Sequence, residues 1–99
     1  MSVEIYNVDD TACLLCIGVA GEHTFQTIWE KAIVDCHLQY IGNGVWLYRK
    51  DLQKILQEFD IVKQYMMANN AWYMVQKIEY ILQELPKQWK SHMQRLWMG

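Results

Sequence analysis

The spacing of the hydrophobic residues changes along this chain of 99 residues, and that change constrains the fold more than any other feature. Near the N-terminus Val3 and Ile5 alternate with polar neighbours, and the stretch 12–20 is apolar and rich in residues that suit a strand. We predict two β-strands there, joined at Asp9-Asp10. After Gly21 the apolar residues recur every three or four positions, which is the period of an amphipathic helix.

Four helices are predicted from this period. The first covers 25–36, with Thr24 as its N-cap. The second begins at Lys50 and runs to residue 66, with Asp51 in its first turn, where the helix dipole favours an anion. A turn at 68–70 precedes the third helix, and Pro86 either ends that helix or begins a short fourth one over 89–97.

The segment around Gly42-Asn43-Gly44 predicts a β-hairpin with arms at 38–41 and 45–48. An Asn-Gly pair supplies the positive φ angles that tight hairpin turns need. In the second arm Val45 and Leu47 would share one face, with Trp46 and Tyr48 on the other. The predicted fold is therefore α+β: a small antiparallel sheet with a β-hairpin, packed against three to four helices, with a C-terminal half that is all helical.

Composition predicts one ordered domain over 1–99, because 53% of the residues are hydrophobic and only 20% are charged. No apolar run approaches the roughly 18 residues of a membrane-spanning helix, and residues 1–4 lack the basic region of a signal peptide. We therefore expect a cytoplasmic protein that does not engage a membrane. The three cysteines are an odd number and are expected to be free thiols.

The formal net charge of −2 is unevenly distributed. Residues 1–60 hold nine acids and four bases, whereas residues 61–99 hold two acids and five bases. Nucleic-acid binding requires clustered Lys and Arg to neutralise phosphates, so this balance argues against it. An acidic N-terminal half suits a basic protein partner, although it is equally consistent with a solvated surface that has no special role.

The residues that could carry catalysis do not form a recognisable motif. Cys13 and Cys16 have Cys-x-x-Cys spacing, but they fall in a predicted strand, where residues three apart point to opposite faces. Cys36 and His37 are neighbours at a helix end, and side chains of neighbours point about 100° apart. We predict a protein that is not an enzyme and has no metal or cofactor.

Aromatic residues are the more promising binding groups. Five Trp and six Tyr exceed what one small core usually absorbs, and both residue types are enriched at protein interfaces. The predicted partner-binding aromatics are Trp46, Tyr48, Tyr65, Trp72 and Tyr73. Trp89 and Trp97 are expected either to hold the terminal helix on the body or to form a homodimer seam, so monomer and homodimer both stay open.

The hairpin at 42–44, followed by Tyr48-Arg49-Lys50-Asp51-Leu52 and then Ile55-Leu56-x-Glu58-Phe59, resembles the small immunity proteins of bacterial polymorphic and contact-dependent toxin systems. The likeness spans most of the chain as a pattern and depends mainly on 48–59. It implies a non-catalytic protein that binds a cognate toxin domain, often a basic nuclease, and blocks its active site or substrate entry. The basic C-terminal third departs from the acidic character of that class.

On this hypothesis carboxylates pair with the toxin's Lys and Arg side chains. The carboxylates assigned to this role are Glu22, Glu30, Asp35, Asp51, Glu58 and Asp60. An alternative is a small transcriptional regulator or nucleic-acid-binding module, with the 42–44 hairpin as a wing and a basic terminal helix carrying Lys87, Lys90 and Arg95.

Overall fold

The computed structural model describes residues 1–9 and 15–99, and within them a four-stranded antiparallel sheet carries helices on one face. The strands are β1 (Ser2–Tyr6), β2 (Cys16–Gly21), β3 (Val45–Tyr48) and β4 (Arg95–Met98). Their order in the sheet is β2-β1-β4-β3, so β1 and the C-terminal strand β4 are central. The predicted α+β class is confirmed.

The helical layer has three parts. The first is a helical segment over residues 22–35, formed by α1 (Glu22–Thr24), a π-helical stretch (Phe25–Trp29) and α2 (Glu30–Asp35). A 3₁₀ turn (Arg49–Asp51) leads into α3 (Leu52–Ala68), and α4 (Trp72–Gln88) packs against α3. Asn70, with a φ of 59°, lies in the short connection between α3 and α4.

One hydrophobic cluster joins the sheet to the helices. In each strand the apolar residues of one face are buried, and the alternate residues point away from the helices, as the two-residue period of a strand requires. On the helical side Trp29 is fully buried between Phe25, at 5.5 Å between ring centroids, and Phe59, at 6.0 Å. The side chains that fill the sheet side of the core are Val3, Ile5, Ile17, Val19, Leu47, Leu96 and Met98.

The predicted hairpin over 38–48 is wrong in its first arm. Residues 38–41 form no strand, and β3 pairs instead with β4, with Trp46 opposite Trp97. The backbone amides of Gln39, Tyr40 and Ile41 donate to the carboxylate of Glu58 on α3. A side chain therefore satisfies the donors that a neighbouring strand would otherwise have paired.

The predicted terminal helix is also wrong, because its last residues form β4. Leu96 and Trp97 fit a helical stripe with Trp89 and Met93, but the run Arg95–Met98 equally fits the alternation of a strand. β1 and β3 each present an edge to this run, and pairing on both sides satisfies its backbone. The C-terminal half is otherwise helical, as far as Gln88.

Three smaller boundaries differ from the sequence predictions. The first helical segment begins at Glu22, so Thr24 lies inside it and is not its N-cap. The helix α4 continues through Pro86 for two further residues. The sequence predicts the second strand over 12–20, and the strand is observed at Cys16–Gly21; Asp10 and Cys13 lie outside the described residues.

Candidate functional site

The sheet face that points away from the helices is the candidate functional surface, and we call it the outer sheet face. No helix of the described chain packs on it, and Tyr6 and Tyr48 are 37% and 42% exposed there. Strand alternation places them on this side, because their sequence neighbours Ile5 and Leu47 are buried in the core. The side chains of this face are Glu4, Tyr6, Cys16, Trp46, Tyr48, Arg95 and Trp97.

Four of these residues form one row across the whole sheet. Tyr6 on β1 lies opposite Cys16 on β2 and opposite Trp97 on β4, and Trp97 lies opposite Trp46 on β3. The two indoles make an edge-to-face contact, with 4.9 Å between ring centroids and 69° between planes. The strand backbones beneath these rings are hydrogen-bonded, and the two indoles hold each other in place.

Arg95 lies beside the aromatic row, against the ring of Trp46. Its guanidinium carbon lies 3.7 Å from the centroid of the Trp46 ring, and its Nε and second terminal nitrogen donate to the two carboxylate oxygens of Asp9 at 2.8 and 3.2 Å. The hydrogen bond lowers the pKa of Asp9 and raises that of Arg95. The cation is thus held in a fixed orientation between a ring and a carboxylate.

Glu4 lies beside the aromatic row at the other side, on the same face of β1 as Tyr6. Its carboxylate accepts hydrogen bonds from the Cys16 thiol at 2.9 Å and from the Ser2 hydroxyl at 2.8 Å. These bonds lower the pKa of the Glu4 carboxyl, and the same contact raises the pKa of the Cys16 thiol. Glu4 therefore carries a negative charge at neutral pH, whereas Cys16 stays protonated and is a poor nucleophile.

A second exposed aromatic surface lies around the connection between α3 and α4. Trp72 and Tyr73 are 56% and 68% exposed, and the Tyr65 hydroxyl donates to Asp35 at 2.8 Å. A groove of about 290 Å³ separates this connection from the helical segment 22–35. Four predicted binding residues thus lie at this end of the molecule, while Trp46 and Tyr48 lie on the outer sheet face.

The predicted carboxylates do not converge on one surface. Glu22 and Glu30 are both exposed; Glu22 is the first residue of α1 and Glu30 is the first residue of α2. Asp51 precedes α3, and Asp60 lies on α3 within 3.5 Å of Lys63. The acidic side chains surround the helical layer, where they contribute a diffuse field more than a defined pairing site.

Glu58 requires a correction, because it is buried and its carboxylate is already occupied. Its two oxygens accept three backbone hydrogen bonds from residues 39–41, at 2.8, 2.8 and 3.1 Å. Only 8% of the residue is exposed. The Glu58 carboxylate is therefore not free to bind a partner, and its role is structural.

The described residues offer no assembled metal or nucleophile site. Over 1–9 and 15–99, no three His, Cys, Asp or Glu side chains are grouped so that they could hold a metal ion. Cys16 is exposed and Cys36 is partly buried, and both are free thiols. The Cys13–Cys16 motif cannot be placed as a pair, because Cys13 lies outside the described residues.

The elements that the nucleic-acid alternative needs are not formed as predicted. The 42–44 turn does not join two paired arms, and the segment with Arg95 is a strand. Lys87 lies 3.5 Å from Glu84, the Lys90 ammonium donates to the Lys87 carbonyl, and Arg95 is paired with Asp9. These cations do not form a cluster, and each already interacts with a group of this chain.

The sequence predictions included Trp46 and Tyr48 but missed Glu4, Tyr6, Arg95 and Trp97. Tyr6 and Glu4 could have been found, because the alternation that identified Val3 and Ile5 as core residues places both on the opposite side. Arg95 and Trp97 could have been found only by considering a strand at the C-terminus. Arg95 and Trp97 lie beside the other residues of the outer sheet face only because β4 pairs with β1 and β3.

Comparisons of the chain with protein-family models, with curated proteins and with solved structures gave no significant match. In the described part of the chain, no helix has the length and apolarity needed to cross a membrane.

Proposed function

We propose that this chain is a non-catalytic binding protein that docks on a protein partner through its outer sheet face, and that it is an immunity protein which neutralises a bacterial toxin domain. The observation that carries the proposal is the aromatic row of Tyr6, Trp97 and Trp46 on a sheet face that no helix of the described residues covers. Trp, Tyr and Arg are the residues most enriched in the energetic centres of protein interfaces.

The rigidity of the face favours binding. Trp46 is held between Trp97 and the Arg95 guanidinium, and Arg95 is held by Asp9. Side chains that are already ordered lose little rotamer entropy when a partner covers them, so more of the interaction energy appears as affinity. A flat, preorganised patch of this kind suits a folded protein surface.

Charge favours a protein partner over a nucleic acid. On the outer sheet face the Asp9 carboxylate and the Arg95 guanidinium neutralise each other, and Glu4 is a further carboxylate. A phosphate backbone would meet negative charge here and lose the counterion-release energy that drives such binding. A basic toxin domain would instead be attracted, with the exposed acids Glu22, Glu30, Asp35 and Asp60 adding to the field.

The test is co-expression of the chain with a candidate toxin domain from the neighbourhood of its gene, with cell survival and binding affinity as readouts. The double variant Tyr6→Ala/Tyr48→Ala removes exposed rings from the outer sheet face. Hot-spot truncations of this kind cost about 2 kcal/mol or more, so we expect roughly thirtyfold weaker binding and loss of protection.

Two further variants make the result specific. Tyr80→Ala removes a tyrosine that is 49% exposed on α4, and it should leave protection unchanged. Trp72→Ala/Tyr73→Ala tests the second aromatic surface, and loss of protection in that variant alone would move the binding site to the α3–α4 connection. Failure of the unaltered chain to protect or to bind the toxin domain would end the immunity hypothesis.

A further inference from the structure

The turn that leads into β3 carries the dipeptide Asn43-Gly44, and both residues are exposed. Gly44 has a φ of 87°, a backbone conformation that residues with a Cβ rarely adopt, so the turn requires glycine at this position. Within residues 1–9 and 15–99, no group hydrogen-bonds to the Asn43 carboxamide. The turn therefore places a free, solvent-exposed side-chain amide directly before a glycine amide nitrogen.

An asparagine that precedes a glycine can be modified without an enzyme. The Gly44 nitrogen loses its proton and attacks Cγ of Asn43, which forms a new C–N bond and closes a succinimide ring. The bond from Cγ to Nδ2 breaks, and ammonia leaves with that proton. Water then opens the ring at either carbonyl and gives aspartate or isoaspartate. Glycine favours ring closure because it has no Cβ to obstruct the attacking nitrogen.

The fold holds the attacking nitrogen in a hydrogen bond. The Gly44 N–H donates to the carbonyl oxygen of Met98 at 2.7 Å, and Val45, the next residue, lies opposite Met98 in the sheet. The bond thus extends the pairing of β3 with β4 into the turn. The nitrogen of a succinimide carries no hydrogen, so ring closure and this hydrogen bond exclude each other.

We propose that Asn43 is a deamidation site and that the opening of β4 sets the rate of its modification. While β4 is paired, the Gly44 nitrogen keeps its proton and its position. When β4 separates from the turn, the nitrogen is released and the reaction proceeds at a rate proportional to the population of the open state. The inference goes beyond the proposed function and is independent of any partner.

The isoaspartate product changes the main chain at the entry to β3. It inserts one methylene group into the backbone, between two points that the fold holds in place. On one side the Ile41 amide donates to Glu58, and on the other Val45 pairs with Met98. The longer link should weaken the pairing of β3 with β4. The purified isoaspartate form should therefore unfold at a lower urea concentration than the Asn43→Asp variant, which has the charge without the added methylene.

The rate of modification is measured on the full chain by peptide mass mapping, with chromatography to separate isoaspartate from aspartate. Folded chain and chain unfolded in guanidinium chloride are incubated at the same mildly alkaline pH and temperature. Asn43 should react at least about tenfold more slowly in the folded chain, because only the open fraction reacts. Asn70, which is followed by alanine, is the internal reference and should react slowly in both samples.

Two core variants assign the protection to β4. Leu96→Ala removes a fully buried side chain of β4 and should accelerate the modification in the folded chain by about tenfold or more. Ile78→Ala removes an equally buried side chain on α4, and at a similar loss of stability it should accelerate the modification much less. If Leu96→Ala does not fold, hydrogen exchange of the Gly44 amide in the unaltered chain decides. Its protection factor should agree, within roughly threefold, with the slowing of the modification.

Three results would overturn the inference. The first is modification of Asn43 that is as fast in the folded chain as in the unfolded chain. The second is equal acceleration by Leu96→Ala and Ile78→Ala, which would show that global unfolding sets the rate. The third is a Gly44 amide that exchanges without protection while Asn43 stays unmodified, because the hydrogen bond to Met98 would then not be the source of the protection.

Discussion

Glu58 shows how one side chain can replace an element of secondary structure. Its carboxylate reaches from α3 and holds three consecutive amides of the segment 39–41, which the sequence pattern assigns to a strand. Hydrogen bonds to a charged acceptor are stronger than those between neutral groups. The segment is thereby fixed without a neighbouring strand, and the chain reaches β3 in the position needed to pair with β4.

Replacing Glu58 should therefore cost more stability than replacing a surface acid. Glu58→Ala leaves buried or half-buried amides without a partner, and we expect a loss of about 3 kcal/mol in the free energy of unfolding. Glu58→Gln keeps one acceptor oxygen and should lose less. Urea denaturation measures both. Glu79→Gln is the control, and a Glu58→Ala variant as stable as that control would contradict the structural role.

Cys16 and Glu4 form a pair in which each shifts the pKa of the other. The Cys16 thiol donates to the Glu4 carboxylate, and this contact raises the thiol pKa above its ordinary value of 9.0. Forming the thiolate would break the hydrogen bond and place two negative charges together. The exposed thiol should consequently react slowly at neutral pH.

The prediction is checked by alkylation with iodoacetamide across a pH series, in a background where Cys13 and Cys36 are serine. The midpoint of the rate profile for Cys16 should lie above 9.0, and Glu4→Gln should lower it and speed the reaction at neutral pH. A midpoint that does not respond to Glu4→Gln would show that the carboxylate does not control the thiol.

At the scale of elements, the C-terminal strand β4 has the largest effect on the fold. It lies between β1 and β3, buries Leu96 and Met98 completely, and places Arg95 and Trp97 on the outer sheet face. A terminal helix in the same place would leave β3 without its strand partner. The last residues of the chain thus complete both the core and the candidate site.

Leu96→Ala tests this role of β4. Truncating a fully buried leucine removes transfer free energy and leaves a cavity, so we expect a loss of about 2–5 kcal/mol in the free energy of unfolding. Gln94→Ala, one residue before the strand and exposed, should change stability by less than about 0.5 kcal/mol. Equal effects of the two substitutions in denaturant titrations would contradict the central position of β4.

At the scale of the whole molecule, the ion pair of Asp9 and Arg95 ties the two ends of the chain together. The residues are separated by 86 positions, and the guanidinium is bidentate on the carboxylate. Asp9 has a pKa below its ordinary value of 3.8 because of this contact. A carboxyl with a lowered pKa in the folded state adds stability above its unfolded pKa and loses that contribution as the pH falls through the folded value.

The stability difference between the unaltered chain and Asp9→Asn should therefore be present at neutral pH and should disappear as the pH falls below 3.8. Both groups are exposed, so the difference is small, and it should shrink further in high salt. Urea midpoints over a pH series measure it, with Glu79→Gln as the control. A gap that stays constant across the acidic range would show that the ion pair is not its source.

The amino-acid sequence alone predicts the class of fold, the two long helices α3 and α4, and the placement of Trp46 and Tyr48 on the strand face opposite Val45 and Leu47. These features follow from local periodicity, which covalent geometry imposes on each element separately. The pairing of β4, the role of Glu58 and the joining of Tyr6, Trp97 and Arg95 were decided by the tertiary structure alone. Each depends on residues far apart in the chain, and local spacing carries no record of which distant strand or side chain will satisfy a backbone or a charge.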